Sequence, residues 1–340
     1  METGFDAAGL VGYWYRAQDD YEVGREKVRE YARAVRDSHP AHWDEAAAGT
    51  QGYAGLVAPA TFTSIVAMRT NRPLFEEVMT GYDVFVHADQ VFEMYRPVVA
   101  GDRLRTEVEL SAVRRVAGKD MLTLTNTFTD ATGEVVQVSR STVVGITGGD
   151  GIDPGIAAAI EGVVMSGLTG EAAIGGTRGG EVEPGRRRYS EVSRTRPPHT
   201  AVRFDDLAVG DELPTRAFTL TRGDLVNYAG VAGDVNPIHW NEGIAARAGL
   251  PDVIAHGMLT MGMGAGYVTE WLGDPGAVVR FGARLSNYTV VDAVSAGGVE
   301  FGGRIKSIDA RTRTATVVLV AKSAGRKIFG LATADVRLAD

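Results

Sequence analysis

Two short segments of this chain each place a carboxylate five positions before an imidazole. In GDVNPIHWNE the pair is Asp234 and His239, and in RDSHPAHWDE it is Asp37 and His42. The two pairs lie 197 positions apart, from 37 to 234 and from 42 to 239. A carboxylate and a histidine on one loop can divide acid–base work near neutral pH, where histidine changes its charge. The chain therefore carries two candidate acid–base sites.

The residues around the two pairs repeat at the same offset without a gap, which indicates a duplicated unit. The identities that support this are Tyr31/Tyr228, Ala32/Ala229, Pro40/Pro237, Trp43/Trp240, Glu45/Glu242, Gly52/Gly249, Ala58/Ala255 and Thr63/Thr260.

The elements around each pair follow one order. In the C-terminal unit, Thr221 and Asp224 predict a capped helix start before the Asp–His loop, and an almost wholly apolar helix is predicted over His256–Trp271 after it. Alternating residues then predict four strands in each unit. They are Val84–Tyr95, Arg103–Arg114, Asp120–Thr129 and Glu134–Val144 in the first, and Val278–Leu285, Gly297–Ile308, Thr314–Ala321 and Lys327–Leu338 in the second. A long helix wrapped by an antiparallel sheet is an α+β arrangement, and two copies could pair their sheets edge to edge.

Composition limits the class of protein. The 340 residues are 44 % apolar, contain no cysteine and carry a formal net charge of −8. Without cysteine, disulfides and thiolate chemistry are excluded, which fits the cytoplasm. The negative charge argues against nucleic-acid binding, and the absence of a signal peptide and of an 18-residue apolar run argues against a membrane protein.

Glycines concentrated between 145 and 185 divide the chain, because glycine disfavours regular structure. We predict an N-terminal domain over residues 1–145, a linker with one short helix over 146–200, and a C-terminal domain over 201–340.

The motifs resemble a known family. GDVNPIHWNE followed by AHGMLTM is similar to the MaoC-type (hydratase 2) motif of (R)-specific enoyl hydratases and 3-hydroxyacyl dehydratases. The N-terminal YEVGREKVREYARAV and LVAPATFTSIV resemble the MaoC-like domain that is the non-catalytic partner in mycobacterial two-subunit (3R)-hydroxyacyl-ACP dehydratases. The resemblance implies a double hot-dog fold, with both subunits fused in one chain.

The resemblance also implies roles for individual residues. Asp234 and His239 become the catalytic dyad, with His239 as the base at C2 and Asp234 handling the hydroxyl or water, although the roles could be exchanged or share one water. Asn236 helps hold the loop, and the backbone N–H of Gly257 binds the thioester oxygen. His256 is grouped with these substrate-binding residues, as a histidine of the helix start rather than a second base.

The first copy of the motif differs both from the non-catalytic partner and from the second copy. It retains His42, which the non-catalytic partner usually lacks, but His39 replaces Asn236, and Pro59-Ala60 replaces His256-Gly257. Asp37 and His42 are therefore either a vestigial or a second site. We favour a first half that buttresses the second and forms part of an acyl tunnel.

The predicted function is a (3R)-hydroxyacyl-thioester dehydratase or enoyl hydratase of fatty-acid or polyketide metabolism. The alternatives are a non-catalytic acyl-binding or scaffold protein and a hot-dog thioesterase. No cofactor or metal is expected, because no glycine-rich phosphate loop follows a strand. The substrate is an acyl-ACP or acyl-CoA, and an acidic carrier protein would need a basic patch such as Arg186–Arg188, Arg280 or Arg284. The chain is expected to be a monomeric pseudo-dimer or a homodimer.

Overall fold

The structure, a computed structural model, describes residues 5–147, 155–161, 163, 180–183 and 196–340. The α-helices are α1 (Arg25–Ala34), α2 (Glu45–Thr50), α3 (Thr63–Thr70), α4 (Ile156–Glu161), α5 (Arg222–Ala232), α6 (Glu242–Arg247) and α7 (Gly257–Leu272). The strands are β1 (Tyr13–Arg16), β2 (Tyr21–Glu22), β3 (Val84–Met94), β4 (Arg103–Val116), β5 (Lys119–Thr129), β6 (Val135–Ile146), β7 (Glu181–Val182), β8 (Glu212–Leu220), β9 (Val278–Leu285), β10 (Gly297–Asp309), β11 (Thr314–Ser323), β12 (Arg326–Lys327) and β13 (Phe329–Arg337).

One continuous antiparallel sheet joins the two halves. Its order is β7-β1-β4-β5-β6-β3-β9-β13-β11-β10-β8, with β2 beside β4 and β12 beside β11. The order is symmetric about the β3–β9 pair, where Phe92 lies opposite Phe281 and both rings are fully buried. The predicted edge-to-edge pairing of two copies is confirmed. All eight predicted strands are present, with ends that differ by a few residues.

Helix α7 is the centre of the C-terminal half. Nearly all of its residues are buried, as its apolar sequence predicts. A Cβ on Gly264 would lie 3.3 to 3.6 Å from the rings of Phe301, Phe329 and Phe281, so this glycine sets the close approach of helix and sheet. The predicted helix start at Thr221 and Asp224 is also confirmed as a reciprocal capping box.

The equivalent helix of the N-terminal half is shorter than the repeat suggests. Helix α3 ends at Thr70, and a separate π-helical turn follows over Leu74–Val78. Pro73 lies between them, and proline interrupts a helix because it lacks an N–H and clashes with the preceding turn. The two halves therefore share a sheet topology, but the helix of the first half is shorter than α7 of the second.

Parts of the predicted linker have regular structure. A short helix is present at α4, and β7 pairs with β1 through Tyr13 and Trp14. Arg186–Arg188 lie outside the described residues. The structure describes no helix with both the length and the apolar character needed to cross a membrane.

Asp274, two residues beyond α7, is fully buried between the halves. The guanidinium of Arg196 donates to both of its carboxylate oxygens at 3.0 and 3.1 Å. The hydroxyl of Tyr53 and the backbone N–H groups of His199 and Gly276 also donate to it. Burial alone would raise the pKa of Asp274, but Arg196 and the other donors outweigh burial and lower it.

We expect Asp274→Asn to lower the free energy of unfolding by about 3 kcal/mol at pH 7, because it leaves a partly buried arginine without its charged partner. The difference from the unchanged protein should shrink below pH 3.8, the ordinary pKa of the carboxyl, since a lowered pKa stabilises the fold only while the group is ionised. Urea unfolding measures both effects. Asn in place of the exposed Asp292 (Asp292→Asn) is the control. An equal loss of unfolding free energy in the two variants would contradict a special stabilising role for Asp274.

Candidate active site

The second Asp–His pair lies on a tightly held loop between α5 and α6. Gly233 ends α5 in the left-handed region at φ 76°, where glycine is favoured. A 3-10 turn over Pro237–His239 follows, and the Asn236 side chain caps it by accepting the N–H of Ile238 at 3.3 Å. The N–H of Asn236 points back to the Asp234 carboxylate at 3.4 Å. Asn236 thus holds the loop, as the resemblance implies.

His239 is held as a neutral base. Its Nδ1 lies 2.7 Å from the carbonyl oxygen of Ile254, which can only accept, so Nδ1 carries the hydrogen and Nε2 keeps its lone pair. Burial lowers the pKa of His239, while Asp234 and the Ile254 carbonyl act in the opposite direction without overcoming it. The ring is therefore unprotonated at neutral pH, with Nε2 free to take a proton.

His256 supports the loop. Its ring stacks on His239, with centroids 3.8 Å apart and 28° between the planes, and its Nε2–H donates to the backbone carbonyl of Asp234 at 3.2 Å. Burial and then the neighbouring His239 lower the pKa of His256 to about 2. An imidazole with so low a pKa takes up a proton only weakly, which argues against a second base.

A helix N-terminus completes the site. Helix α7 begins at Gly257, directly after His256, and no side chain caps its first turn. Free N–H groups at a helix start, reinforced by the helix dipole, favour a negatively charged oxygen. A Cβ at Gly257 would come within 2.6 Å of the Leu285 side chain, so any larger residue would displace Leu285. The arrangement combines a base, a carboxylate and an oxyanion site.

Asp234, His239 and His256 are also of types that bind metal ions, and one ligand atom of each lies within 4.8 Å of the others. The two imidazoles, however, stack nearly parallel and each uses one nitrogen on a backbone carbonyl. Nearly parallel rings converge poorly on one ion, because a ligating nitrogen must point at it in the ring plane. The geometry of the two rings therefore does not favour one metal ion held by both.

The first Asp–His pair is sealed. Asp37 is 3 % and His42 0 % exposed, and Oδ2 and Nε2 lie 3.2 Å apart in an ion pair whose N–H is not well aligned for a hydrogen bond. His42 Nδ1 also donates to the Val57 carbonyl at 2.5 Å. Burial alone would lower the pKa of His42, but the carboxylate and the carbonyl raise it. The raised pKa favours the ring with both nitrogens protonated, a form that has no free lone pair to act as a base.

The first copy also lacks the helix start. Position 60 corresponds to Gly257, but α3 begins only at Thr63. The Ala60 carbonyl accepts a hydrogen bond from Gln137 at 2.9 Å. A cavity of about 280 Å³ does lie beside this turn, and neither Asp234 nor His239 lines it. Its walls include Val57, Pro59, Ala60, Met94, Gln137, Arg196 and Val278.

Sequence reasoning missed two residues near the site. The ring of Tyr228 packs on His256 with centroids 4.9 Å apart. His87, on β3 of the other half, experiences the charge of Asp234, which together with the Asp89 carbonyl opposes the lowering of its pKa by burial. The sequence repeat that pairs Tyr31 with Tyr228 was a signal for Tyr228. The two ring centroids lie 6.4 Å apart across the halves. Nothing in the alternation of β3 distinguishes His87.

Comparison with known proteins agrees with this geometry. A family profile described as the FAS1-like dehydratase domain region matches residues 9–138, and one described as the MaoC-like domain matches residues 205–307. A solved structure described as a MaoC-like dehydratase is 55 % identical, with a TM-score of 0.91, over 97 % of this chain and 99 % of the other. The chain belongs to the MaoC-like dehydratase family. Membership supports a hydro-lyase activity.

Other relatives of this MaoC-like dehydratase match at lower identity. A UPF0336 protein of Mycolicibacterium paratuberculosis is 36 % identical over 167 residues, which are 48 % of this chain and 96 % of the relative. A Mycobacterium tuberculosis protein described as having a double hot-dog fold superposes with a TM-score of 0.61 at 13 % identity, covering 96 % of each chain. The double hot-dog fold predicted from sequence is confirmed.

The histidines should titrate differently. In an NMR titration from pH 5 to 8, His42 should change its charge above the ordinary pKa of 6.5, His239 below it, and His256 not at all. Ring ¹⁵N shifts identify each tautomer. Titration of His256 within this range would contradict the buried, stacked ring.

Proposed function

We propose that this MaoC-like dehydratase interconverts (3R)-3-hydroxyacyl thioesters and trans-2-enoyl thioesters by acid–base elimination and addition of water. Asp234, His239 and His256 each place one ligand atom within 4.8 Å of the others, and α7 begins directly after His256. This observation carries the proposal, because it brings together a neutral His239, the carboxylate of Asp234 and the uncapped helix start at Gly257. These are the three groups that the reaction requires, a base, a partner for the hydroxyl and a donor for the thioester oxygen.

In the dehydration direction, His239 Nε2 removes the proton from C2, and the electron pair moves toward the thioester oxygen. The N–H of Gly257 stabilises that developing negative charge. The C3–O bond then breaks, and the imidazolium returns its proton to the leaving hydroxide, so that water is released. Asp234 accepts a hydrogen bond from the C3 hydroxyl and orients it. In hydration the same steps run in reverse.

The proposal assigns the chemistry to the second site alone. The first pair has no free base, no helix start and almost no exposed surface. We assign the first half a supporting role and place the acyl chain between the halves, where His87 experiences the charge of Asp234. The arrangement of Asp234, His239 and Gly257 in the second site also favours a dehydratase over a thioesterase and over a scaffold that only binds acyl groups.

We further propose an acyl carrier protein or CoA as the carrier, in fatty-acid or polyketide metabolism of the cytoplasm. Arg284 and Arg280 on β9 are the described candidates for contact with its negative charge. The Arg284 side chain is 67 % exposed, and its Nε lies 3.9 Å from Oδ2 of Asp89. Arg280 is half-buried. Pairing of the two sheets within one chain allows a monomer to carry a complete site.

We expect His239→Ala and Asp234→Asn each to lower kcat for hydration of a short trans-2-enoyl-CoA by about 10³-fold, the range for loss of a general acid–base group. Hydration is followed by the loss of enoyl thioester absorbance.

The comparison variant is His42→Ala, assayed at a temperature where it is folded. Its kcat should fall by about tenfold or less. If His42→Ala abolished turnover and His239→Ala retained it, the assignment of the two sites would be inverted.

The pH dependence has a definite sign. Because the pKa of His239 is lowered below 6.5 and its neutral form is the base, kcat/KM should be level above pH 6.5 and fall only on the acid side. A rate that rises steadily between pH 7 and 8 would show a different base.

A further inference from the structure

The first motif copy lies against the far end of α7, opposite Gly257. The hydroxyl of Thr269 in the last turn donates to the Asp37 carboxylate at 3.2 Å. The carbonyl of Gly273, which ends the helix in the left-handed conformation, accepts hydrogen bonds from His39 at 3.0 Å and from Gln51 at 2.7 Å. The last carbonyls of a helix have no partner within it, so these side chains from the other half form a cap.

His39 can do this because of its departure from the repeat. Asn236 uses its side-chain oxygen to cap its own loop, and His39 performs the same local task by accepting the N–H of Ala41 at Nδ1, at 3.2 Å. An imidazole has a second nitrogen on its opposite side, and Nε2–H reaches the Gly273 carbonyl. One substitution therefore keeps the loop and adds a bond to the other half.

Two glycines on one face of α7 allow the contact. A Cβ on Gly266 would lie 3.2 Å from the Asp37 carboxyl carbon, and one on Gly262 would lie 2.4 Å from the Val35 side chain. These glycines therefore face the first half, whereas Gly264 faces the sheet. His42 completes the arrangement, because its Nε2 lies 3.2 Å from the carboxylate of the buried Asp37.

We propose that the first copy of the motif is a positioning device, in which Asp37 and His39 hold the C-terminal end of α7 and thereby place Gly257, at its other end, against Asp234 and His239. A 16-residue helix is a stiff rod about 24 Å long, so an axial shift at one end moves the other. The ancestral acid–base loop has become a support for the working one. This inference rests on the proposed function for its kinetic consequence only.

The test compares His39→Leu with His39→Gln, whose side-chain amide keeps an N–H for the Gly273 carbonyl. His199→Leu makes the same replacement at an exposed histidine. We expect His39→Leu to lower kcat 5- to 50-fold with KM within threefold, and to speed amide hydrogen exchange at residues 260–264 at least fivefold. His39→Gln should restore both within threefold, and His199→Leu should match the unchanged protein.

A merely structural role would lower the melting temperature while leaving kcat of the folded protein and exchange at residues 260–264 unchanged, and that result would overturn the proposal. If His39→Leu does not fold, Thr269→Val, with Thr269→Ser as the conservative variant, tests the same end of the helix. Hydrogen exchange needs no turnover. Absence of hydratase activity in the unchanged protein would therefore refute the proposed function, while the exchange comparison would still decide the positioning.

Discussion

Close packing of helix α7 between the two halves is the constraint on which the rest of the structure depends. The helix approaches its own sheet at Gly264 and the first half at Gly262 and Gly266, with no room for a side chain at either surface. Because its N-terminus directly follows His256, the same packing that builds the core also places the oxyanion donor that we propose at Gly257. Core and chemistry are therefore inseparable in this fold.

The two Asp–His pairs show how one local motif acquires two electrostatic states. In both, Nδ1 is fixed by a backbone carbonyl fifteen residues later, at Val57 or Ile254. At His42 burial would lower the pKa, but the other nitrogen lies beside a sealed carboxylate that raises it. At His239 burial prevails and the ring is neutral. The surroundings, rather than the motif, decide which histidine is a base.

Much of this could be predicted from residues alone. Apolar alternation located the eight predicted strands, and the capping box located the start of α5, because these patterns depend on neighbours in the chain. The length of the first-half helix was less predictable, since Pro73 divides an otherwise repeated element. His87 was missed because its proximity to Asp234 depends on strand pairing across the halves.

The sequence by itself determined the duplication, the fold of each unit and the identity of the two candidate pairs, since all three follow from residue types at fixed spacing. Only the tertiary structure decided which pair is accessible and which is sealed. Asp37 is buried against α7, an element more than two hundred positions away, and His42 is buried beside Asp37. Such long-range contacts set both the desolvation of an imidazole and the charged groups beside it, and the balance of the two shifts its pKa.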